Sequence, residues 1–461
     1  MSATAELRTL ERRSTAAAAR PGLLVAAVCL GGMMVGLDGS AITIAAPSIA
    51  RSTHASLGDL TVIANVYLVM LAACILPAGR LADRLGRRAG FIAGALGFAA
   101  CSLGISLSTT VAELIVLRAG QGVFAALLQP TALALLSTGV ARERLSAMLG
   151  VWGGVNALTI GLGPVFAGFV VQGLGWPVVF LVNLPVAFVA IVLVRSAVGE
   201  SRAGGPASGV RGLLRDGALR TAAMLVALSS FAVFALLFVL TLYLQNVHRL
   251  APSTAGAWLL APTLAVVAGA LAGAALTDRV GPRRPVVLGM LLVAAGLARL
   301  SRLSVDSSYW ALALPALLVG LGTGVWVIPA TTTIVGDSDQ AGEAAGTASA
   351  IQQAASQIGG VLGVGVTSLA LSIGISARLA SLLRAARVPG HAAAAMLRSQ
   401  GLVAEGRTPR LQTASEHVHT LAASAGHQAF AGGMRAAFVI CAALVVLGLP
   451  LALRWPTGGR S

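Results

Sequence analysis

Two ionisable side chains stand in sequence that is otherwise built for lipid. Asp38 interrupts the apolar run near 23–47, and Arg118 interrupts the run near 111–138. A charge inside a bilayer is costly unless it is paired, hydrated or neutralised, so such residues are first candidates for a proton, ion or substrate pathway. Asp38 falls about 15 residues into its run, somewhat past the middle of a helix rising 1.5 Å per residue. A carboxylate there can take up and give back a proton. An arginine keeps its proton at working pH; it can instead tune a neighbour or hold a polar group in a cavity. No acidic residue occurs within an apolar run of the second half, so proton handling is expected in the first half. Permanent pairing for packing is the structural alternative for Asp38, and bonding to backbone carbonyls is that for Arg118. Glu113, one turn outward of Arg118, reads as an interfacial charge.

Other residues could shape a gate or a cavity. Gly161, Gly163, Pro164 and Gly168 fall in one run, where glycine permits close helix approach and proline bends the helix. Gln352, Gln353 and Gln357, with Gly359 and Gly360, give another run a polar stripe. Tyr67, Tyr243, Gln245, Trp258 and Trp326 could add aromatic and amide contacts to a bulky ligand, or simply pack. Cys29, Cys74, Cys101 and Cys441 lie in apolar runs without metal-ligand spacing, and His417, His419 and His427 share an Ala-rich segment that makes a poor metal site. There is no phosphate loop, paired carboxylates or Ser/His/Asp set, so no enzyme, cofactor or metal centre is expected.

The elements that must hold these residues follow from composition. The 461 residues are 57% hydrophobic and only 10% charged, with a mean hydropathy of +0.87. A soluble chain carries roughly 25% charged residues; this one must have lipid as part of its solvent. A helix needs about 20 apolar residues to span the bilayer and satisfy its own backbone. Such runs occur near 23–47, 59–79, 90–109, 111–138, 145–172 and 176–196, then near 219–245, 255–277, 284–304, 309–334, 345–375 and 435–454. The expected fold is therefore an all-α membrane protein of about twelve transmembrane helices in two pseudo-symmetric six-helix bundles. Its parts are a tail (1–22), a first bundle (23–196), a linker (197–218), a second bundle (219–454) with a long outer loop (376–434), and a tail (455–461). The first run is too long for a cleavable signal.

The net charge of +16 comes from 32 basic residues, all of them arginine. They cluster between the apolar runs and form no basic stripe with interleaved aromatics, which argues against nucleic acid. Arg-only usage with abundant Ala, Gly, Val and Leu fits a GC-rich bacterial genome. Twenty arginines fall on the side of the termini and four in the short loops opposite. The positive-inside rule then puts both termini in the cytoplasm. The seven arginines from Arg378 to Arg435 run against that bias, but long segments count little in the rule. The halves also echo each other: Asp83-Arg84-Leu85-Gly86-Arg87-Arg88 and Asp278-Arg279-Val280-Gly281-Pro282-Arg283-Arg284 occupy equivalent loops. Matching sequence at matching places indicates a duplicated six-helix unit, a usual construction for a rocking transporter.

Taken together, the motifs resemble those of the major facilitator superfamily, in particular its drug/proton antiporters related to the fourteen-span exporters. Gly79-Arg80-Leu81-Ala82-Asp83-Arg84-Leu85-Gly86-Arg87-Arg88 resembles the superfamily's signature loop. Leu117-Arg118-Ala119-Gly120-Gln121-Gly122 is similar to the span-four motif associated with proton transfer, and Gly161-Leu162-Gly163-Pro164-Val165-Phe166-Ala167-Gly168 to the span-five motif of antiporters. Leu37-Asp38-Gly39-Ser40-Ala41-Ile42 with Pro47, and Phe180-Leu181-Val182-Asn183-Leu184-Pro185, resemble segments of the drug exporters. The chain departs from them in its twelve spans, in Trp176-Pro177-Val178, and at Thr159 and Thr43.

The resemblance implies the major facilitator fold, proton coupling through Asp38 and Arg118, and a cytoplasmic gate latched by Asp83. Gly79, Arg84, Gly86, Arg87, Arg88, Gly161, Gly163, Pro164, Gly168 and Asp278 are the further gating candidates, although the arginines equally serve as topology determinants. Asp38, Tyr67, Gln121, Tyr243, Gln245, Trp326, Gln353 and Gln357 are the cavity candidates. The expected activity is proton-driven antiport across a bacterial cytoplasmic membrane, exporting a bulky amphipathic drug or secreted metabolite. Expected partners are that small substrate, protons and the lipid bilayer. The rivals are a nutrient importer on the same fold and a membrane receptor that transports nothing, with 376–434 as its contact surface.

Overall fold

The computed structural model describes residues 20–199, 215–250, 252–305, 307–336, 345–404, 409 and 415–455. The tail before residue 20, most of the linker and the tail after 455 lie outside the described residues. Among the described residues the chain is helical nearly throughout and contains no strand. The first half comprises α1 (Pro21–Thr53), α2 (Leu57–Leu85), α3 (Arg87–Leu107), α4 (Val111–Gly139), α5 (Arg142–Leu174), α6 (Trp176–Leu181) and α7 (Asn183–Ala197). The second comprises α8 (Gly217–Leu242) with a π-turn (Tyr243–Val247), α9 (Pro252–Val280), α10 (Arg283–Leu300), α11 (Tyr309–Gly336) and α12 (Ala345–Ala385). It continues with α13 (Gly390–Arg398), α14 (Gln400–Ala404), α15 (Glu416–Leu447) and α16 (Leu449–Leu453).

Among the described residues ten segments are long and apolar enough to cross a membrane, with α6 and α7 counted as one and α15 and α16 as another. Helices α5 and α10 stand at the places of expected spans five and nine; α10 is 18 residues long and carries Arg283, Arg284 and Arg299 at its ends. The break between α6 and α7 falls at Val182, where Pro185 has no N–H to return to the preceding turn. Outward faces carry large apolar side chains such as Leu107, Phe169, Val361 and Leu447, which fits lipid as solvent.

Helix starts are set by local chemistry. Ser56 and Asp59 form a reciprocal capping box at α2, and Thr110 and Glu113 form another at α4. Glu113 is thus a cap, accepting from the N–H groups of Thr109 and Thr110 at 2.9 and 3.2 Å. The duplicated loops share a backbone signature: Gly86 ends α2 at φ 99° and Gly281 follows α9 at φ 76°. Side chains rarely adopt that region, so glycine at both turns lets each helix reverse within one or two residues.

The segment 376–434 is not the long outer loop expected from sequence. Helix α12 continues to Ala385, burying Leu379 and Leu383 one turn apart, and α15 begins at Glu416. An Ala-rich segment has high helix propensity, and its apolar i, i+4 pairs extend the packing beyond the bilayer-length run. His417, His419 and His427 consequently lie on α15, and no metal-holding group of three His, Cys, Asp or Glu occurs among the described residues.

Helical alternation places the described ends of the chain at one end of the bundle, called here the terminal end. The halves meet there through α12, which packs on α2 and α4, and through α5, which packs on α9.

Candidate functional site

Asp38 sits near the middle of α1, and Arg118 lies one to two turns into α4, counted from the end opposite the termini. Helices α1 and α4 pack together, and Arg118 Nη1 donates to Asp38 Oδ2 in the only ion pair among the described residues. Both side chains are almost completely buried. Such a pair must be satisfied on every side to offset its desolvation, and three more elements contribute. Arg118 Nε donates to the carbonyl of Ile63 on α2 at 3.4 Å, and its guanidinium lies 4.4 Å from the centre of the Tyr67 ring, a cation–π contact. Arg118 Nη1 also donates to Gln121 Oε1 at 2.9 Å.

Gln121 completes the circuit. Its Nε2 donates to Asp38 Oδ1 at 3.2 Å and to Ser102 Oγ on α3 at 2.8 Å. Asn183 Nδ2, at the start of α7, donates to the same Ser102 oxygen at 3.1 Å, and Ser102 Oγ donates to the Phe98 carbonyl at 2.9 Å. Sequence reasoning did not assign roles to Ser102 and Asn183. Asn183 carried a signal, an amide inside an apolar run; Ser102 carried none. The circuit therefore ties α1, α2, α3, α4 and α7 around one carboxylate. Two polar atoms in it are buried without a partner: Tyr67 Oη and Arg118 Nη2. Chemically, the arrangement holds one negative charge against one positive charge.

The second constellation lies at the terminal end. Asp83, buried in the last turn of α2, reaches across to the first turn of α12 in the other half. Its Oδ1 accepts from Gly346 N at 2.8 Å, and its Oδ2 accepts from Thr347 N at 2.9 Å and Thr347 Oγ1 at 2.8 Å. A carboxylate is favoured at a helix N-terminus, where orphan N–H groups and the helix dipole converge, so Asp83 acts as an N-cap supplied by another helix. Thr347 was not a sequence candidate; its signal is its position at the start of an apolar run. Gly79, one turn before Asp83, permits the approach: a Cβ there would collide with the Cβ of Ala350 and stand 2.7 Å from the Gly346 carbonyl.

The remaining candidates fall into separate places. Arg87 is buried beside the Asp83 charge, and Arg88 Nη1 donates to the Val198 carbonyl at 3.2 Å, tying α3 to the end of α7. Arg84 is exposed and Gly86 forms the turn. Gly161, Gly163, Pro164 and Gly168 all lie within α5, and Gly168 faces open space. Asp278, the counterpart of Asp83, is exposed and has no partner among the described residues. The two loops share sequence and turn geometry, yet among the described residues only the first reaches a helix N-terminus. Tyr243 Oη donates to the Ser304 carbonyl at 2.8 Å and Trp326 Nε1 to the Leu225 carbonyl at 3.0 Å, so both are anchored within second-half packing. Gln245 is half-buried in the π-turn, while Gln353 (buried) and Gln357 (half-buried) lie on α12.

Residues 28–364 match the Major Facilitator Superfamily. The chain is 34% identical to the tetracenomycin C resistance and export protein of Streptomyces glaucescens, across 94% of this chain and 91% of that protein. It is 31% identical to the puromycin resistance protein pur8 of Streptomyces alboniger, across 72% and 78% of the two chains. It is 26% identical to the multidrug resistance protein Stp of Mycobacterium tuberculosis, across 94% and 91%. Among solved structures it resembles the human organic anion transporter MFSD10 (TETRAN) with a TM-score of 0.66 at 15% identity, covering 96% of this chain and 99% of that one. That likeness speaks for the fold. With matched sequence across most of its length and a helical membrane fold, this multi-pass membrane transporter belongs to the Major Facilitator Superfamily.

Proposed function

We propose that the chain is a proton-coupled exporter of bulky amphipathic compounds, working by alternating access in a bacterial cytoplasmic membrane. The resistance and export proteins that resemble it support drug or antibiotic export. The observation that carries proton coupling is the buried Asp38–Arg118 pair, with its single titratable carboxylate. In the ionised state the pair is neutral overall. A proton on Asp38 leaves the Arg118 charge uncompensated, so the site turns net positive and disfavours a cationic ligand. Proton and amphipathic cation thereby compete for one carboxylate, which is sufficient to couple their movements in opposite directions.

The arginine asymmetry supports cytoplasmic termini. With that orientation the Asp83 latch closes the cytoplasmic end, and the described conformation is one shut to the cytoplasm. Asp38 takes its proton from outside; the halves rock as the latch opens; the proton leaves inward and substrate enters from the cytoplasm or inner leaflet. Tyr67, Gln353 and Gln357 are the candidates left to face a substrate path, with Gln121 acting through the circuit.

The test is accumulation of a fluorescent amphipathic cation in pump-deficient bacteria expressing wild type, Asp38→Asn or empty vector, with and without a protonophore. Lower accumulation with wild type alone, abolished by the protonophore, is the expected result. Protonophore-sensitive export that survives Asp38→Asn would sink the coupling assignment.

A further inference from the structure

We infer that the second copy of the duplicated loop is a binding site for the phosphate headgroup of an anionic phospholipid, with an acyl chain lying along α10. A cavity of about 800 Å³ opens at the terminal end where α9 gives way to α10. Its polar wall is Arg279, Arg283 and Arg284, and its apolar wall includes Leu288, Leu291 and Leu453. None of the three arginines makes an ion pair among the described residues, and no carboxylate among them lines the cavity. Asp278 is adjacent in sequence, exposed, and paired with none of them.

The spacing fits a lipid. Arg284, Leu288 and Leu291 fall at i, i+4 and i+7, one stripe along the outer face of α10 running from the terminal end into the apolar zone. Leu288 and Leu291 are 46% and 49% exposed, and Leu453 on α16, at 49%, forms the facing wall. Three unpaired cations at a helix mouth are complementary to a phosphodiester. The half-exposed leucines continuing from them suit a hydrocarbon chain and offer nothing to a free anion. Basic pockets at the ends of membrane helices are suited to anionic headgroups. In the first half the equivalent loop spends its carboxylate on α12; in the second the carboxylate has no partner among the described residues and the three cations line the cavity.

The experiment titrates the purified full chain in detergent with phosphatidylglycerol or phosphatidylcholine and reads bound lipid by native mass spectrometry. Wild type should retain phosphatidylglycerol preferentially. Arg279→Gln/Arg283→Gln/Arg284→Gln should weaken that retention at least about tenfold, while a control at exposed arginines of the same end, Arg195→Gln/Arg220→Gln, should not. Leu288→Glu, which keeps all three cations, should also lose the lipid, and excess inorganic phosphate should fail to displace it from wild type. Thermal unfolding of each variant confirms that it is folded. Retention unchanged in the triple variant, equal loss in the control, or full displacement by phosphate would each overturn the assignment.

Discussion

Replacing Asp83 by Asn isolates what the latch between the halves is worth. The carboxylate accepts three hydrogen bonds from the first turn of α12. An amide keeps one carbonyl oxygen, enough for the Gly346 N–H, but turns an NH2 group toward the two donors of Thr347. A hydrogen bond to a charged group is worth about 1.5–3 kcal/mol net, and the charge at a helix N-terminus about 0.3–2 kcal/mol more. The latched state should therefore lose on the order of 3 kcal/mol. The open state, in which Asp83 is hydrated, loses almost nothing. That is a shift of about a hundredfold in the equilibrium between the two. Gly346→Ala should act in the same direction, because its Cβ would stand 2.6 Å from Asp83 Oδ1. The assay is electron–electron distance measurement between spin labels at Leu85→Cys on α2 and Arg220→Cys on α8, in a background without the four native cysteines. Wild type should give one short, narrow distance, and Asp83→Asn a population moved to longer distances. An unchanged distribution in Asp83→Asn would show that the latch contributes less than about 1 kcal/mol, and the gating argument would fail.

Three other outcomes follow from the same geometry. Asp38→Asn strands the Arg118 charge and should destabilise the first bundle by about 3–5 kcal/mol; adding Arg118→Gln should restore most of the thermal stability in detergent without restoring protonophore-sensitive export, which separates folding from coupling. Ser102→Ala removes the oxygen that accepts from both Gln121 and Asn183, so the melting temperature should fall by the equivalent of about 1–3 kcal/mol per orphaned donor, and an unchanged melting point would mean the amides find other partners. The Ser56 hydroxyl and then its backbone N–H hold Asp59 below the ordinary carboxylate range; a lowered value stabilises the folded form above about pH 4 and that support fades as pH falls through it. Hydrogen exchange in the first turn of α2 should accordingly lose protection in acid, relative to intrinsic rates, and Asp59→Asn should abolish that dependence.

Much of this architecture was legible in the residues. A bilayer leaves the backbone few solutions, so the apolar runs, the paired Asp-x-x-Gly loops and the lone charges in lipid led to the helices, the repeat and the two key side chains. Sequence could not reveal who surrounds them. Ser102 looks like any small residue in a membrane helix, and Thr347 like the start of one more apolar run; only the helix crossings make them partners of Gln121 and Asp83. For Tyr243 and Trp326 sequence left both readings open, since an aromatic with a polar tip reads alike whether that tip meets a ligand or a carbonyl of its own bundle. The segment 376–434 read as a loop because its arginines outweighed the i, i+4 pattern of Leu379 and Leu383 that marks a helix carried past the bilayer.

Two of the three groups that hold Asp83 are peptide N–H donors, those of Gly346 and Thr347. Every residue except proline supplies one. By hydrogen-bonding criteria the donating half of the contact depends little on side-chain identity, whereas the accepting half depends on one side chain of one length. Mutational drift should fall unequally on the two bundles: apart from Gly346, where a Cβ would meet Asp83 Oδ1, the start of α12 can change its side chains within the room left by Gly79, but α2 cannot change Asp83. A recognisable sequence signature would then persist in the first half while its partner surface leaves little more than one glycine in the alphabet of side chains.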